Sequence, residues 1–586
     1  MDMTRGRWVR SALVGLAALV LLPAAASAQS RIAGAVTDTS GGALPGVTVE
    51  AASPVLIEKV RAAVTDGRGQ YTIIDLRPGT YDLTFTLPGF ASVRSEGIVL
   101  PADFTATVNA QLSVGAIEET VTVTGQSPLV DVQSAARTQV VTRELLDALP
   151  TPRNTQSLGY LAQGVRLSKP DVGGAQMMEQ VNMRVHGSSQ VDTTMQIDGM
   201  LVSPAFNDGA IQNYINQAAF GEISFTTSSQ SADVQAGGIR QNLIPLDGGN
   251  RFSGSNYFGG SLGSWQANNL TPELISRGVS LPTGITHIYD INPAVGGPLL
   301  RDRLWFFGSM RWMSVDEKVL NSYLPDGSQA VVDQLIQIPM VRLTFQATPR
   351  NKISAYLDRP FKFKGHEFTF GIEPSRASRR RNPSEANYHN FGSKWTSTVT
   401  NRALLEVGFN RIVERLHSGY QPDFFPSTQG YPRPADIHLY TGGPNIDPWF
   451  SQVSHWDIST TQRTVATTGY SGTLPDRNHF EAAITYVPGS HSVKTGFQWN
   501  FGQDRNDAVS NGDLTQQNYR RGVPESVVVN INPFATEEYV KADIGLYVTD
   551  TWTMKRLTVT PGVRYDYLNS QIKEQWRAEG RFVPGQ

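Results

Sequence analysis

Alternation of apolar and polar residues along paired segments constrains this chain more than any other feature. Residues 341–347 and 352–358 both alternate, and the tight turn Thr348-Pro349-Arg350-Asn351 joins them. The same design recurs in residues 480–486 with 493–501, and in 540–548 with 557–567. Because strand side chains point to opposite faces with period two, each hairpin has one apolar face and one polar face. Two folds fit: a soluble β-sandwich, or an outer-membrane barrel whose polar face lines the lumen.

The lengths of the connections favour the barrel. The turns within these hairpins are a few residues long, whereas the connections between hairpins cover residues 359–388, 412–465 and 503–539. Long structureless loops are uncommon in compact soluble domains. Short turns on one rim and long loops on the other are typical of outer-membrane barrels.

The N-terminus predicts export. Arg5, Arg7 and Arg10 precede an apolar run over residues 12–22, and Ala26-Ser27-Ala28 fits a small-residue cleavage site. This pattern predicts a signal peptide over residues 1–28. Its apolar run is too short to span a bilayer as a helix. A secreted chain that enters a membrane without such a helix is expected to do so as a barrel, here in the cell outer membrane.

Composition argues against several functions. The chain has no cysteine, which excludes disulfides, iron–sulfur sites and thiol nucleophiles. Its 50 basic and 52 acidic residues balance, so no nucleic-acid partner is expected. The nine histidines are scattered without metal-ligand spacing. We therefore predict no enzyme, with no catalytic, cofactor-binding or metal-binding residues.

Residues 29–113 predict a small β-sandwich, in which short alternating runs are separated by turns such as Asp66-Gly67-Arg68-Gly69 and Arg77-Pro78-Gly79. The pieces Gly34-Ala35-Val36-Thr37-Asp38, Gly69-Gln70-Tyr71 and Pro78-Gly79-Thr80-Tyr81 resemble the carboxypeptidase regulatory-like domain. That resemblance implies a non-catalytic module with a carbohydrate-binding-like fold. A periplasmic spacer accounts for the same residues, and we prefer it to carbohydrate binding.

A linker over residues 114–125 contains a short alternating strand that ends in Gly125. It resembles the TonB box, through which TonB-dependent transporters engage the energising protein TonB. The resemblance implies that main-chain hydrogen bonds would add this strand to an exposed edge of TonB. A plain interdomain strand is the alternative. The implied TonB-binding residues are Glu119, Thr120, Val121, Thr122, Val123 and Thr124.

Residues 126–249 resemble the α/β plug domain of TonB-dependent receptors. Short helices are predicted over residues 143–149 and 155–162, and strands run into Gly187 and Gly199. The closing segment, residues 242–248, departs from the family pattern, because the usual lysine is missing and Pro245 is added. An irregular junction between plug and barrel is therefore expected.

Residues 250–586 are predicted to form the transmembrane β-barrel. Gly296-Gly297-Pro298-Leu299 and the run from Arg301 to Phe307 add to a resemblance with the Oar-like subfamily of TonB-dependent receptors, in which a regulatory-like domain precedes the plug. Plugged transporters of this kind have 22 strands. Since residues 250–586 are too few for that number with long loops, the barrel is expected to be partial and the chain truncated. The expected fold is thus mainly β: a sandwich, a plug and a barrel.

Two loop regions are candidates for binding outside the cell. Arg376, Arg379, Arg380 and Arg381 crowd one loop, either as a solvated charge run or as a contact for lipopolysaccharide phosphates. A second loop is rich in aromatic residues, which could capture a substrate or simply pack the loop. The candidate substrate residues there are Tyr420, Phe424, Phe425, Trp449 and Trp456.

Together these features predict an outer-membrane TonB-dependent receptor that takes up an unidentified small molecule, glycan or peptide. Its expected partners are TonB, outer-membrane lipid and lipopolysaccharide, and its N-terminal domain would lie in the periplasm. The alternative is a structural or adhesion protein of the same architecture without active transport.

Overall fold

The computed structural model describes residues 30–575 and Pro584, apart from several internal segments. The segments outside the description are 57–58, 102–103, 116–119, 125–135, 170, 172–173, 177–178, 180, 204–213, 236, 325, 368–377, 382–387, 401, 420, 422–452, 489, 511–513, 530–533 and 555–556. The expected signal peptide, residues 1–28, also lies outside the described residues. No helix among the residues described is long and apolar enough to cross a membrane.

The N-terminal region is a sandwich of two sheets. Its strands are β1 (Ser30–Asp38), β2 (Thr48–Ala52), β3 (Val60–Val64), β4 (Gln70–Leu76), β5 (Gly79–Thr86), β6 (Ser92–Leu100), β7 (Thr105–Thr107), β8 (Ala110–Leu112) and β9 (Thr120–Thr124). One sheet has the order β4-β1-β7, with β8 also paired to β1, and the other has the order β3-β2-β5-β6-β9. Tyr81, Leu83 and Phe85 alternate along β5 and are fully buried between the sheets. Burying each such side chain stabilises the fold by about 1.5–3 kcal/mol.

The turn from β3 to β4 shows how sequence sets this local structure. The Asp66 carboxylate accepts hydrogen bonds from the backbone N–H groups of Arg68 and Gln70, at 2.9 and 3.0 Å. Gly69 has a φ of +72°, and a Cβ there would lie 2.5 Å from the carbonyl oxygen of Val36. Only glycine fits this position without strain.

The plug region forms a five-stranded sheet. Its elements are β10 (Arg137–Thr142), α1 (Arg143–Ala148), a 3₁₀ helix (Gln156–Leu161), β11 (Val165–Leu167), β12 (Met183–Val185), a 3₁₀ helix (Gln190–Asp192), β13 (Thr194–Ile197), β14 (Met200–Leu201), a 3₁₀ helix (Gln217–Ala219), β15 (Phe220–Ser228) and β16 (Arg240–Pro245). The sheet order is β10-β15-β16-β13-β14, and β11 pairs with β12. The two short helices lie where the sequence predicts them. The ladder between β15 and β16 shifts register at its Pro245 end, where the sequence predicts an irregular junction.

The barrel region is one 17-stranded sheet. Its elements are β17 (Ser253–Leu262), a 3₁₀ helix (Gly263–Trp265), α2 (Pro272–Ser276), β18 (Gly284–Leu300), β19 (Leu304–Tyr323), β20 (Gln329–Val332), β21 (Gln334–Thr348), β22 (Asn351–Asp358), β23 (Phe361–Glu367), β24 (Arg379–Arg381), β25 (His389–Thr400), β26 (Ala403–Val413), β27 (Leu416–Ser418), β30 (Tyr470–Thr473), β31 (Asp476–Tyr486), β32 (His491–Val509), β35 (Phe534–Met554), β36 (Leu557–Val559) and β37 (Gly562–Ile572). Its strands follow one another in chain order from β17 to β37. A separate four-stranded sheet contains β28 (His455–Asp457), β29 (Gln462–Thr464), β33 (Leu514–Arg520) and β34 (Val523–Val529).

Burial along β21 distinguishes a barrel from a soluble sandwich. Leu343 is 44% exposed, whereas its neighbours Arg342 and Thr344 are 4% and 0% exposed. The partner strand β22 repeats this arrangement, with Ile353 exposed and Ser354 buried. Apolar side chains thus face outward and polar side chains face the interior, which is the arrangement that lipid requires. The prediction of an outer-membrane barrel is confirmed.

The long connections contain more regular structure than the sequence predicts. Residues 359–388, 412–465 and 503–539 read as structureless, yet strands β23, β24 and β27 to β29 fall in the first two. In the third, β32 continues to Val509, β33 and β34 form a hairpin, and β35 begins at Phe534. Strand pairing continues beyond the membrane because it satisfies backbone hydrogen bonds. Such strands have no lipid on either face and therefore lack the clear alternation of membrane strands.

Candidate functional site

The first part of the candidate site is a buried ion cluster between the plug and the barrel wall. Arg342, on β21, donates from Nε to Asp247 and from Nη2 to Asp198, each at 2.7 Å. Both aspartates belong to the plug region, one just after β13 and the other just after β16. Lys394, on β25, donates to the Asp198 carbonyl oxygen at 2.7 Å and pairs with Glu406 at 2.9 Å. These contacts fasten the ends of two adjacent parallel plug strands, β13 and β16, to β21 and β25 of the barrel.

The ionisation of the plug aspartates reflects this cluster. Burial opposes the charge on Asp247, but the guanidiniums of Arg342 and Arg77 together hold the pKa of its carboxyl well below its usual range. Burial likewise disfavours the ionised form of Asp198, while Arg342 and Lys394 lower its pKa. Both carboxylates are therefore charged at neutral pH, and both depend on cations from the barrel.

A second ion pair fastens the segment between β15 and β16. Lys494, on β32, pairs with Asp233, and both side chains are almost fully buried. The Asp233 carbonyl oxygen also accepts from Gln498 Nε2 at 3.1 Å and from Arg564 Nη1 at 3.3 Å. Burial raises the pKa of Asp233, and Lys494 more than offsets that effect, so the net pKa is far below the usual range.

A third set of contacts lies at the opposite rim of the barrel, away from the tight turn that joins β21 and β22. Glu179 of the plug region pairs with Lys364 of β23 at 2.5 Å, and Gln176 donates to Glu317 of β19 at 2.9 Å. Burial opposes the charge on Glu179, but Lys364 and Lys362 lower its pKa to about 2. Tight turns face the periplasm in outer-membrane barrels, so these contacts lie on the extracellular side of the plug.

The TonB-box-like segment is a strand of the N-terminal sandwich. Residues Thr120 to Thr124 form β9 and pair in parallel with β6, with Ser92 opposite Thr120 and Glu96 opposite Thr124. β9 is an edge strand of its sheet, so one of its two sides is paired within the described residues. Glu119 lies outside the described residues. TonB binding by this segment stays a prediction.

Most of the candidate substrate residues lie outside the described residues, namely Tyr420, Phe424, Phe425 and Trp449. Trp456 is described: it lies on β28 of the four-stranded sheet, with the guanidinium of Arg463 5.2 Å from its ring centroid. Trp456 thus packs against an arginine of the paired strand β29. This contact does not test substrate capture.

The described loop arginines contact other side chains and do not form a freely solvated charge run. Arg381 pairs with Glu367 at 3.1 Å, and Arg379 approaches the same carboxylate at 3.5 Å. The guanidinium of Arg380 stacks 5.5 Å from the ring centroid of Phe363. Arg376 lies outside the described residues. Contact with lipopolysaccharide stays a prediction.

Sequence reasoning missed the residues that hold the plug. Asp198 and Asp247 each precede a glycine, which was the available signal. Arg342, Lys394 and Lys494 occupy polar positions of alternating strands, and a lumenal cation is the expected partner of a plug carboxylate. The sequence alone does not pair them, because 95 residues separate Asp247 from Arg342. In the described part of the chain, no group of three or more potential ligands is placed to hold a metal ion.

Comparison with known proteins agrees with this architecture. Residues 31–113 match the carboxypeptidase regulatory-like domain, and residues 336–586 match an outer membrane beta barrel domain. The TonB-dependent transporter Oar of Myxococcus xanthus is 28% identical over 320 residues, which are 51% of this chain and 28% of that protein. The chain thus spans less than a third of the length of this curated relative.

Solved structures of similar fold include two outer-membrane proteins. The transporter YddB of Escherichia coli matches with a TM-score of 0.50 at 14% identity, over 74% of this chain and 57% of that one. The ferripyoverdine receptor of Pseudomonas aeruginosa matches with a TM-score of 0.50 at 14% identity, over 80% of this chain and 58% of that one. At this level of identity the likeness concerns the fold. The proteins matched are transporters and receptors.

Proposed function

We infer that this outer-membrane protein is a TonB-dependent receptor of the Oar type and that it imports a substrate by means of force delivered by TonB. One observation carries the inference: a folded plug is held inside the barrel wall by buried ion pairs, and an alternating edge strand precedes it. A plug closes the pore, and a strand that precedes the plug, here β9, is a segment through which TonB can apply force to it.

The proposed mechanism assigns a task to each part. A small molecule, glycan or peptide binds the extracellular loops and the upper side of the plug, near Glu179 and Lys364. TonB pairs with Glu119, Thr120, Val121, Thr122, Val123 and Thr124 by adding its own strand to their main chain. Tension along residues 125–136 then reaches β10 and separates plug carboxylates from their barrel cations, which opens a path. The N-terminal sandwich lies in the periplasm, and lipid and lipopolysaccharide surround the barrel.

A structural or adhesive role is the second candidate. The four-stranded sheet of β28, β29, β33 and β34 lies beyond the barrel strands, and Val523 and Val527 on it are 64% and 55% exposed. Exposed valines on an edge strand suit contact with another protein. Such a role needs no contact with TonB, so TonB binding separates the two candidates.

The test is calorimetric binding of the periplasmic domain of TonB to the mature protein in lipid nanodiscs. Val121→Pro removes one main-chain donor from the proposed strand, whereas Val121→Ala keeps it. We expect binding by the unmodified protein and the alanine variant, and loss of at least tenfold in affinity in the proline variant. Absence of binding by the unmodified protein would contradict energised transport and favour the structural role.

A further inference from the structure

The N-terminal sandwich rests on the rim of tight turns at the base of the barrel. Ile74, on β4, is buried together with Leu404 of β26 and Val487, the residue just after β31. Arg31, on β1, donates a hydrogen bond to Ser492 at the start of β32. The domain therefore touches successive turns of the barrel wall on the side where a transported substrate would leave.

An ion pair also ties the sandwich to the plug. Arg77, in the turn between β4 and β5, pairs with Asp247, the same carboxylate that Arg342 of the barrel holds. Three parts of the chain thus meet at one buried aspartate. Asp75 lies beside this contact, where it accepts from Arg61 at 2.9 Å. Burial opposes the charge on Asp75, while Lys352, at the start of β22, and Arg61 lower its pKa.

The coupling strand belongs to the same domain. β9 pairs with β6 over five residues, and β6 is a central member of the sheet through its pairing with β5. If β9 stays paired with β6, force applied to β9 is transmitted to the whole sandwich. Among the described residues, the sandwich contacts the plug through an ion pair, and it contacts the barrel through a hydrogen bond and a small apolar cluster. Its own core, in comparison, contains twenty buried side chains.

We propose that the N-terminal sandwich is a periplasmic cap on the barrel and that engagement of β9 by TonB detaches it. The TonB step rests on the proposed function, whereas the docking of the cap does not. Because the domain's core is more extensive than its contacts with the barrel, it leaves the rim as a folded unit. The cap must leave before the plug moves, because the ion pair between Arg77 and Asp247 joins the plug to the cap.

Disulfide trapping tests the docking, because the native chain has no cysteine. Ile74→Cys and Val487→Cys are introduced together into the full mature protein in nanodiscs, and the rate of oxidation is followed on gels. We expect rapid closure, slowed at least fivefold by Arg77→Gln. Arg68→Gln, an exposed arginine of the same domain, serves as the matched control and should leave the rate unchanged.

A second pair of cysteines serves as a check, because Ile74→Cys and Val487→Cys could themselves weaken the apolar contact. Arg31→Cys and Ser492→Cys, bridged by a short bismaleimide, report the same docking from outside the core. The proposed docking would be wrong if neither pair of cysteines reacted. It would also be wrong if the reaction rates were equal in the presence and absence of Arg77.

Addition of the periplasmic domain of TonB then tests release. We expect both reactions to slow at least fivefold at saturating TonB. If TonB binds and neither rate changes, release of the cap is wrong and the proposed function stands. If TonB does not bind while both pairs still react, the proposed function and the release step fail together, and docking alone remains.

Discussion

Arg342 Nε lies 2.7 Å from Asp247 Oδ1, although one residue belongs to the barrel wall and the other to the end of the plug. The same guanidinium reaches Asp198 at 2.7 Å. Its side chain is 4% exposed, so the ion pairs that it makes are buried. One barrel residue therefore holds two carboxylates of the plug.

Replacing Arg342 tests this dependence. Arg342→Met keeps much of the side-chain volume but removes the cation that two buried carboxylates share, and breaking a buried pair in this way costs about 3–5 kcal/mol. We expect faster hydrogen exchange in β13 and β16. Arg350→Met, on the exposed turn after β21, should change nothing. Equal protection in both variants would contradict the anchoring role.

Acid should loosen the extracellular side of the plug. The pKa of Glu179 is lowered to about 2. A lowered pKa contributes stability that is complete above the unfolded value of about 4.3 and is lost as the pH falls through the folded value. Between about pH 4.5 and pH 2 we therefore expect a loss of about 3 kcal/mol, at about 1.4 kcal/mol per pKa unit. Hydrogen exchange around β12 measures it, and Glu179→Gln should remove this pH dependence.

Charge on the outer face of the barrel should be costly. Leu343 points outward from β21, and an arginine at the bilayer midplane costs about 2–4 kcal/mol in a transmembrane barrel. We expect Leu343→Arg to lower the free energy of unfolding, measured with urea in lipid vesicles. Ala267→Arg, in an exposed segment before α2, should be tolerated. Equal stability of the two variants would argue against lipid at this face.

A glycine on the lumenal side accommodates an aromatic ring. A Cβ at Gly496 would lie 2.3 Å from the hydroxyl oxygen of Tyr547 on the paired strand β35. Overpacking of this kind costs about 1–3 kcal/mol. We expect Gly496→Ala to lower the temperature at which the barrel unfolds on heat-modifiable gels. Gly308→Ala is the control, because its nearest heavy atom is 3.9 Å away.

The Trp456 side chain is expected to stabilise the four-stranded sheet of β28, β29, β33 and β34. A cation–π contact at an exposed site contributes about 0.5–1 kcal/mol. Trp456→Ala should therefore increase hydrogen exchange in β28 and β29 by a few-fold, while Trp456→Phe retains part of the protection. An unchanged exchange rate in the alanine variant would show that the contact with Arg463 is not stabilising.

The membrane strands were predictable because lipid imposes a strict pattern on them. Leu343 and Ile353 must be apolar wherever the rest of the chain goes, so their alternation is visible locally. The partner of β9 was not predictable, because β6 lies more than twenty residues upstream and strand register is not encoded in either segment alone. The ion pair between Arg77 and Asp247 was hidden for the same reason. From the sequence alone, each of these two charged residues could equally well be exposed to solvent.

The polar interior of the barrel has a further consequence for how the plug can move. Lys394 donates to the carbonyl oxygen of Asp198, and Arg477 donates to that of Ser203 at 3.1 Å. Each of these donors can exchange a plug oxygen for a water molecule at small cost, which an apolar surface cannot do. A departing plug would therefore leave behind a wall that wets at once, and the vacated lumen would stay open rather than collapse.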